Sequence, residues 1–191
     1  MRLFIGLSLP AGVRESALHA AQLLRDSIPG RYVPAENYHI TLAFLGDVPQ
    51  ERLAQAQDVL ARCAAGFPAP RIELGGADFF GREQNAILIL RAAGSPPLTP
   101  LHQALTDALA QAGLPFSPGP FSPHVTLARH AAVAQTAISG ASAYVRSLAQ
   151  DRRAFTAQHA HLYLSARDSG NVLRYTPLFT APFCETNLSH L

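Results

Sequence analysis

Tyr38-His39-Ile40-Thr41-Leu42-Ala43-Phe44 and Pro123-His124-Val125-Thr126-Leu127-Ala128-Arg129 read almost alike, each giving His, a β-branched residue, Thr, Leu and Ala in that order. Composition alone yields about 0.05 matches to His-x-Thr-Leu in a chain of this make-up, so two copies point to an internal duplication. In an extended strand alternate side chains share a face. His39 and Thr41 therefore point one way while Ile40 and Leu42 point the other, into a core, and His124 and Thr126 stand in the same relation to Val125 and Leu127. Pairing the two segments about a pseudo-twofold axis gathers two imidazoles and two hydroxyls around one point.

Such a point suits in-line displacement at phosphorus. One group must take a proton from the nucleophile while a second gives one to the leaving oxygen, and imidazole does either near neutral pH. The threonine hydroxyls can donate to the non-bridging phosphate oxygens and stabilise charge as it redistributes. The scheme asks for no metal and no cofactor. Because the motifs are symmetric, their chemistry alone does not say which histidine is the acid and which the base.

Working outward, residues 2–9 read as a buried strand, and Pro10 opens a helix over 11–27 with Val13, Leu18, Ala21 and Leu24 at helical spacing. A strand over 39–44 ends at Gly46-Asp47, a helix follows over 49–65, and strands follow near 71–79 and 86–92. Leu98, Leu101, Leu105 and Leu109 mark one face of a helix over 98–112, with Gly113 as its C-cap. After a proline-rich loop come strands near 124–128, 155–165 and 173–179; residues 129–154 show no readable pattern. The order predicts an α+β fold with two sheets or lobes facing one another. No linker of flexible composition divides them, so residues 1–191 read as a single domain.

Composition narrows the function classes. With 48% hydrophobic and 15% charged residues, the 191-residue chain is neither disordered nor a coiled coil. All 15 basic residues are arginine, in a composition rich in alanine, glycine and proline, and the net charge is only +2, so charge does not by itself indicate a nucleic acid. Cys63 and Cys184 lie far apart in no metal-ligand spacing. The N-terminal apolar run is too short for a signal peptide or a membrane span, and a cytoplasmic location is expected. No phosphate-binding glycine-rich motif occurs.

The segment Val33 to Gly46, together with Phe121 to Arg129, resembles the paired HxTx signature of the 2H phosphoesterases, and more narrowly the RNA 2′,3′-cyclic phosphodiesterases, also called 2′-5′ RNA ligases. Arg2-Leu3-Phe4-Ile5-Gly6-Leu7, Leu162-Tyr163-Leu164-Ser165 and Arg174-Tyr175-Thr176-Pro177-Leu178 extend the resemblance over the whole chain. It implies a bilobal, pseudo-twofold fold of two intertwined lobes, two antiparallel-rich sheets with outer helices around a central cleft. It implies His39 as proton donor to the 3′ oxygen and His124 as base for water, with Thr41 and Thr126 beside them and Phe44 and Arg129 holding the terminal nucleotide. The implied partners are RNA ends bearing a 2′,3′-cyclic phosphate, tRNA fragments among them, or cyclic nucleotides; the sequence marks no oligomeric state, and a monomer is the default expectation. Other branches of the superfamily act on ADP-ribose cyclic phosphates or 2′-5′ oligoadenylates, and 2′-5′ ligation is the reverse reaction.

Two further readings compete. The cleft of such a fold could bind RNA ends without catalysis, although both motifs keep His and Thr. His159 and His161 share a strand face with Tyr163, and with a motif histidine they could form a metal-dependent hydrolase; an exposed strand face is the simpler reading. Tyr163, Ser165 and Tyr175 are expected to support the motif strands, and Arg152-Arg153 to form a solvated turn or extend a basic path. His19, His102, His130 and His190 are expected at the surface.

Overall fold

The structure, a computed structural model, describes residues 1–133 and 135–184. The chain order is β1 (Arg2–Ser8), α1 (Ala11–Arg25), β2 (Arg31–Tyr32), β3 (His39–Asp47), α2 (Leu53–Ala65), β4 (Arg71–Arg82) and β5 (Asn85–Ser95). It continues with α3 (Thr99–Gln111), β6 (His124–Ala131), α4 (Gln135–Ser147), α5 (Gln150–Arg153), β7 (Ala154–Thr156), β8 (His159–Arg167) and β9 (Leu173–Pro182). The fold is α+β, as the sequence predicts. Pro10 sits in extended conformation immediately before α1, and Gly113, with φ +63°, follows α3. The expected strand over 155–165 is two strands, β7 and β8.

The strands run in the order β7-β4-β5-β6-β3-β1-β8-β9, with β2 pairing β6. The two expected sheets are thus two antiparallel halves, β7-β4-β5-β6 and β3-β1-β8-β9, joined between the two motif strands. That junction is a single residue pair, Ile40 opposite Val125. Helices α1 and α4 pack together, α4 on β4 and α1 on β6, while α2 and α3 cover the other half through β8, β9 and β3. The helix after β1 therefore crosses to the β6 half and the helix after β5 crosses to the β3 half.

One apolar core runs through both halves. Ile40, Leu42, Val125 and Leu127 are buried in it with Leu24, Leu60, Leu105 and Val145 from the four long helices. Each buried Leu or Val of this kind contributes about 1.5–3 kcal/mol on removal from water. The motif strands are anchored by these residues, and this anchoring turns His39, Thr41, His124 and Thr126 to the opposite face.

Residues 129–154, which the sequence leaves unread, contain α4 and α5. Helix α4 docks with small side chains: Ser142 donates to the carbonyl of Ala77 at 3.1 Å, and a Cβ at Gly76 would lie 2.9 Å from its Oγ. This close backbone approach accompanies a narrow apolar stripe of Ile138, Ala141 and Val145.

Candidate active site

Both motif strands carry a β-bulge at the same place. In β3, Thr41 stands opposite Gly6, Ala43 opposite Ile5 and Phe44 opposite Phe4, leaving Leu42 without a partner. In β6, Thr126 stands opposite Ile89 and Ala128 opposite Leu88, leaving Leu127 without one on that side. An extra residue reverses which face the following side chains take. Strict alternation would have put Phe44 and Arg129 with the core residues; the bulges bring both to the face of the histidines. The carbonyl of Leu42 accepts from Nδ1 of His102 at 2.7 Å, and that of Leu127 from the amide of Val33 at 2.8 Å.

The two imidazoles are held alike. His39 Nδ1 donates to the carbonyl of Asn37 at 2.8 Å, and His124 Nδ1 donates to the carbonyl of Ser122 at 2.7 Å. A carbonyl can only accept, so each ring keeps its Nδ1 proton and turns Nε2 towards the cleft. Nε2 of His39 lies 3.0 Å from the Thr41 hydroxyl, which donates to it while the ring is neutral. Aromatic edges wall both rings: Tyr175 meets His39 at 5.0 Å and 85°, and Phe80 meets His124 at 5.0 Å and 79°.

Burial pulls the pKa of His39 down to about 4, opposed by its bond to Asn37 and reinforced by His124 and Arg129. Burial also pulls His124 below its ordinary value, again with Arg129 adding. Both rings are therefore neutral at pH 7 and able to accept protons when a negative charge arrives.

His39, Thr41, Phe44, His124, Thr126 and Arg129 all line one cleft of about 520 Å³. This volume falls within the ~300–1,000 Å³ usual for small-molecule sites. Arg2, Phe4, Arg167 and Tyr175 also line it, residues to which the sequence assigned no substrate contact. For Arg2 and Phe4 a signal existed, since they share the parity of Gly6 on β1, opposite Thr41. The Arg2 guanidinium lies 5.2 Å from the centre of the Phe44 ring. Among the described residues three arginines and no carboxylate line the cleft, which makes it a site for an anion.

A family model described as the 2′-5′ RNA ligase superfamily matches residues 13–171. The chain belongs to this superfamily. Among curated relatives, a protein of Escherichia coli (strain K12) named RNA 2′,3′-cyclic phosphodiesterase is 32% identical over 167 residues, covering 81% of this chain and 92% of its own. The fold is similar to the crystal structure of TT0787 of Thermus thermophilus, with TM-score 0.74, 25% identity and coverage of 97% and 99% of the two chains. It is also similar to Escherichia coli LigT complexed with 3′-AMP, with TM-score 0.72, 27% identity and coverage of 95% and 97%.

The remaining residues singled out in the sequence divide between the cleft and its surroundings. Tyr163 is buried on β8 and stacks on Phe4 at 4.9 Å, with its ring 6.2 Å from that of His39. Ser165 lines the cleft itself, as Tyr175 does. His161 bonds to Thr180 at 2.9 Å and lies 3.3 Å from the Ser8 hydroxyl, facing a separate groove with His159. Among the described residues no three His, Cys, Asp or Glu side chains gather where they could hold a metal ion. Arg152 and Arg153 pair with Glu15 at 3.5 Å and Glu73 at 2.5 Å.

His102 is not the surface residue the sequence suggested. It is half-buried, stacked on Phe121 at 4.3 Å and 6°, and bonded to the Leu42 carbonyl. The reason is its place beside Leu101 on the flank of the α3 apolar face, where α3 crosses β3. His19 and His130 are exposed, and His190 lies outside the described residues. No helix among the described residues is long and apolar enough to cross a membrane.

Proposed function

We propose that the chain hydrolyses RNA 2′,3′-cyclic phosphate ends to 2′-phosphomonoesters by two-histidine acid–base catalysis, with 2′-5′ ligation as the reverse reaction. The observation that carries this reading is the pair of His-x-Thr units opening into one arginine-lined cleft. The relatives named RNA 2′,3′-cyclic phosphodiesterase support it.

In this mechanism the cyclic phosphate sits between the two Nε2 atoms, its non-bridging oxygens bonded by the hydroxyls of Thr41 and Thr126. His124 accepts a proton from water as the water oxygen bonds to phosphorus. The bond from phosphorus to O3′ breaks, and His39 gives O3′ its proton. The products are a 3′-hydroxyl and a 2′-phosphomonoester; His39 ends neutral and His124 protonated, and solvent exchange resets them. The bound phosphate supplies the negative charge that lets His39 carry its proton despite burial. The terminal base stacks on Phe44, whose other face Arg2 covers, and Arg129 reaches the phosphate or the base.

The substrate is an RNA end rather than a long duplex, which agrees with a net charge of only +2. We further propose a monomer acting in the cytoplasm, with residues 1–191 forming one domain of two intertwined lobes.

The decisive test incubates the protein with an oligonucleotide ending in 2′,3′-cyclic phosphate, with and without chelator. Turnover is expected to persist in chelator, to yield the 2′-phosphate on chromatography, and to fall ~10²–10⁴-fold in His39→Ala and in His124→Ala. Turnover untouched by either substitution sinks the proposal. ADP-ribose cyclic phosphate and 2′-5′ oligoadenylate, run alongside, identify another branch of the superfamily if one of them is the better substrate. RNA-end binding without turnover would mark a binding module.

A further inference from the structure

Past Tyr175 the cleft opens into a second one of about 470 Å³, and the two share Arg129, Arg167, Leu173 and Tyr175. The second cleft owes its charge to the short strand β2, which places Arg31 directly opposite Arg129. Residues directly opposed in an antiparallel pair turn their side chains to the same face with Cβ atoms about 4.5–5.5 Å apart, and like charges so placed repel. Two exposed arginines thus rise from opposed positions on one face, and both line this cleft.

Among the described residues no aspartate or glutamate lines the second cleft to relieve them. The nearby carboxylates are engaged elsewhere: Glu36 and Asp168 both bind Arg174, at 3.1 and 3.0 Å. Arg167 adds a third guanidinium and donates to the carbonyl of Asn171 at 2.7 Å. Beside the arginines, Val172 and Leu173 expose apolar side chains, 41% and 36% accessible. A repelling arginine pair next to an apolar ledge matches a phosphate with a ribose or base attached.

We propose that this second cleft binds the internucleotide phosphate on the 5′ side of the terminal nucleotide, so that the protein selects an oligonucleotide end over a mononucleoside cyclic phosphate. The inference rests on the reading of the first cleft as the cyclic-phosphate site. Arg129 stands between the two phosphates, and Arg31 serves the outer one alone.

The test measures kcat/KM on adenosine 2′,3′-cyclic phosphate, on the same compound bearing a 5′-phosphate, and on the dinucleotide ApA ending in 2′,3′-cyclic phosphate, in the wild type, Arg31→Gln and Arg31→Lys. A charge-assisted bond to the internucleotide phosphate predicts a preference for the dinucleotide of about tenfold or more. Arg31→Gln should collapse the dinucleotide-to-mononucleotide ratio to about one and flatten the salt dependence of the dinucleotide by about 0.7 in log–log slope. Arg31→Lys should keep part of the ratio. Arg31→Gln removes a repelling charge, so its melting temperature should not fall.

A wild-type ratio near one, or a preference that survives Arg31→Gln, overturns the proposal. A 5′-phosphorylated mononucleotide turned over as well as the dinucleotide overturns selection for the diester in favour of a phosphomonoester site. Should no substrate turn over, the reading of the first cleft fails, and calorimetry then decides the second: 3′-phosphorylated ApA binding about tenfold tighter than 3′-AMP, with the difference lost in Arg31→Gln, supports it, and equal affinities overturn it.

Discussion

His102 on α3 donates its Nδ1 proton to the carbonyl of Leu42, the one residue of the first motif that stands without a strand partner. The bond satisfies the carbonyl at the bulge that turns Phe44 into the cleft, and His102 does not line that cleft, so its expected role is to position Phe44. His102→Ala leaves a half-buried carbonyl unsatisfied and should cost about 1–3 kcal/mol of stability in urea unfolding. It should also raise KM more than it lowers kcat, because Phe44 is displaced while His39 and Thr41 lie before the bulge. His102→Gln, which restores a donor, should recover KM; a KM unchanged in the alanine variant would remove His102 from this role.

The pH dependence follows from the two depressed imidazoles. In kcat/KM, which reports the free protein, one ring must start protonated and the other neutral, giving a bell whose limbs belong to the pair. Burial draws His39 down to about 4 and His124 below its ordinary value. The kcat/KM maximum should therefore lie below about pH 6.5, the value of an unperturbed imidazole. Bound phosphate favours both protonated rings, so the kcat maximum should lie at higher pH. Rate profiles between about pH 4 and 9 check this, and coincident, flat profiles count against a histidine pair.

The motif strands were legible because two features coincide in each: an apolar pair at strand period and a polar pair out of phase with it. Ile40 and Leu42, Val125 and Leu127 are all in the core, and their neighbours His39, Thr41, His124 and Thr126 all reach the cleft. The bulges were not legible, because nothing in the composition of Leu42 or Leu127 sets them apart from an ordinary core residue. Phe44 and Arg129 came from the family resemblance; periodicity places them on the wrong face. Strand β2 has two residues, too few for any pattern, although it brings Arg31 to Arg129. Helix α4 was not legible because its buried stripe holds only two large apolar side chains, Ile138 and Val145, with the small Ala141 and Ser142 between them.

His39 also links acid to stability. Its unfolded pKa is near 6.5 and its folded value about 4, so between these pH values the unfolded chain holds a proton that the folded chain does not. Stability from this source is fully present above about pH 6.5 and is lost as pH falls towards 4, by up to about 3 kcal/mol. His124, lowered in the same direction, adds to the loss. Urea midpoints should thus fall more steeply between pH 7 and about 4.5 for the wild type than for His39→Asn. Parallel curves would mean that the ring titrates normally in the folded protein.

Gly6 sets how closely β1 approaches the first motif strand. A Cβ there would lie 2.8 Å from the carbonyl oxygen of Ile40 and 3.5 Å from Cδ2 of His39. Ile40 is also the residue that pairs with Val125 to join the two halves of the sheet. Backbone cannot swing aside as a side chain can, so Gly6→Ala must move β3 itself. We expect it to cost about 1–3 kcal/mol, as overpacking does, and to lower kcat as well, because a shift at Ile40 carries His39 away from His124. Gly140→Ala is the matched control. Gly140 is exposed in the interior of α4, with nothing within 4 Å of an added Cβ. This second substitution should stabilise the protein by roughly 0.5–1 kcal/mol through helix propensity and leave kcat unchanged. If Gly6→Ala behaves like Gly140→Ala in both unfolding and turnover, the close approach of β1 to β3 does not position the histidine.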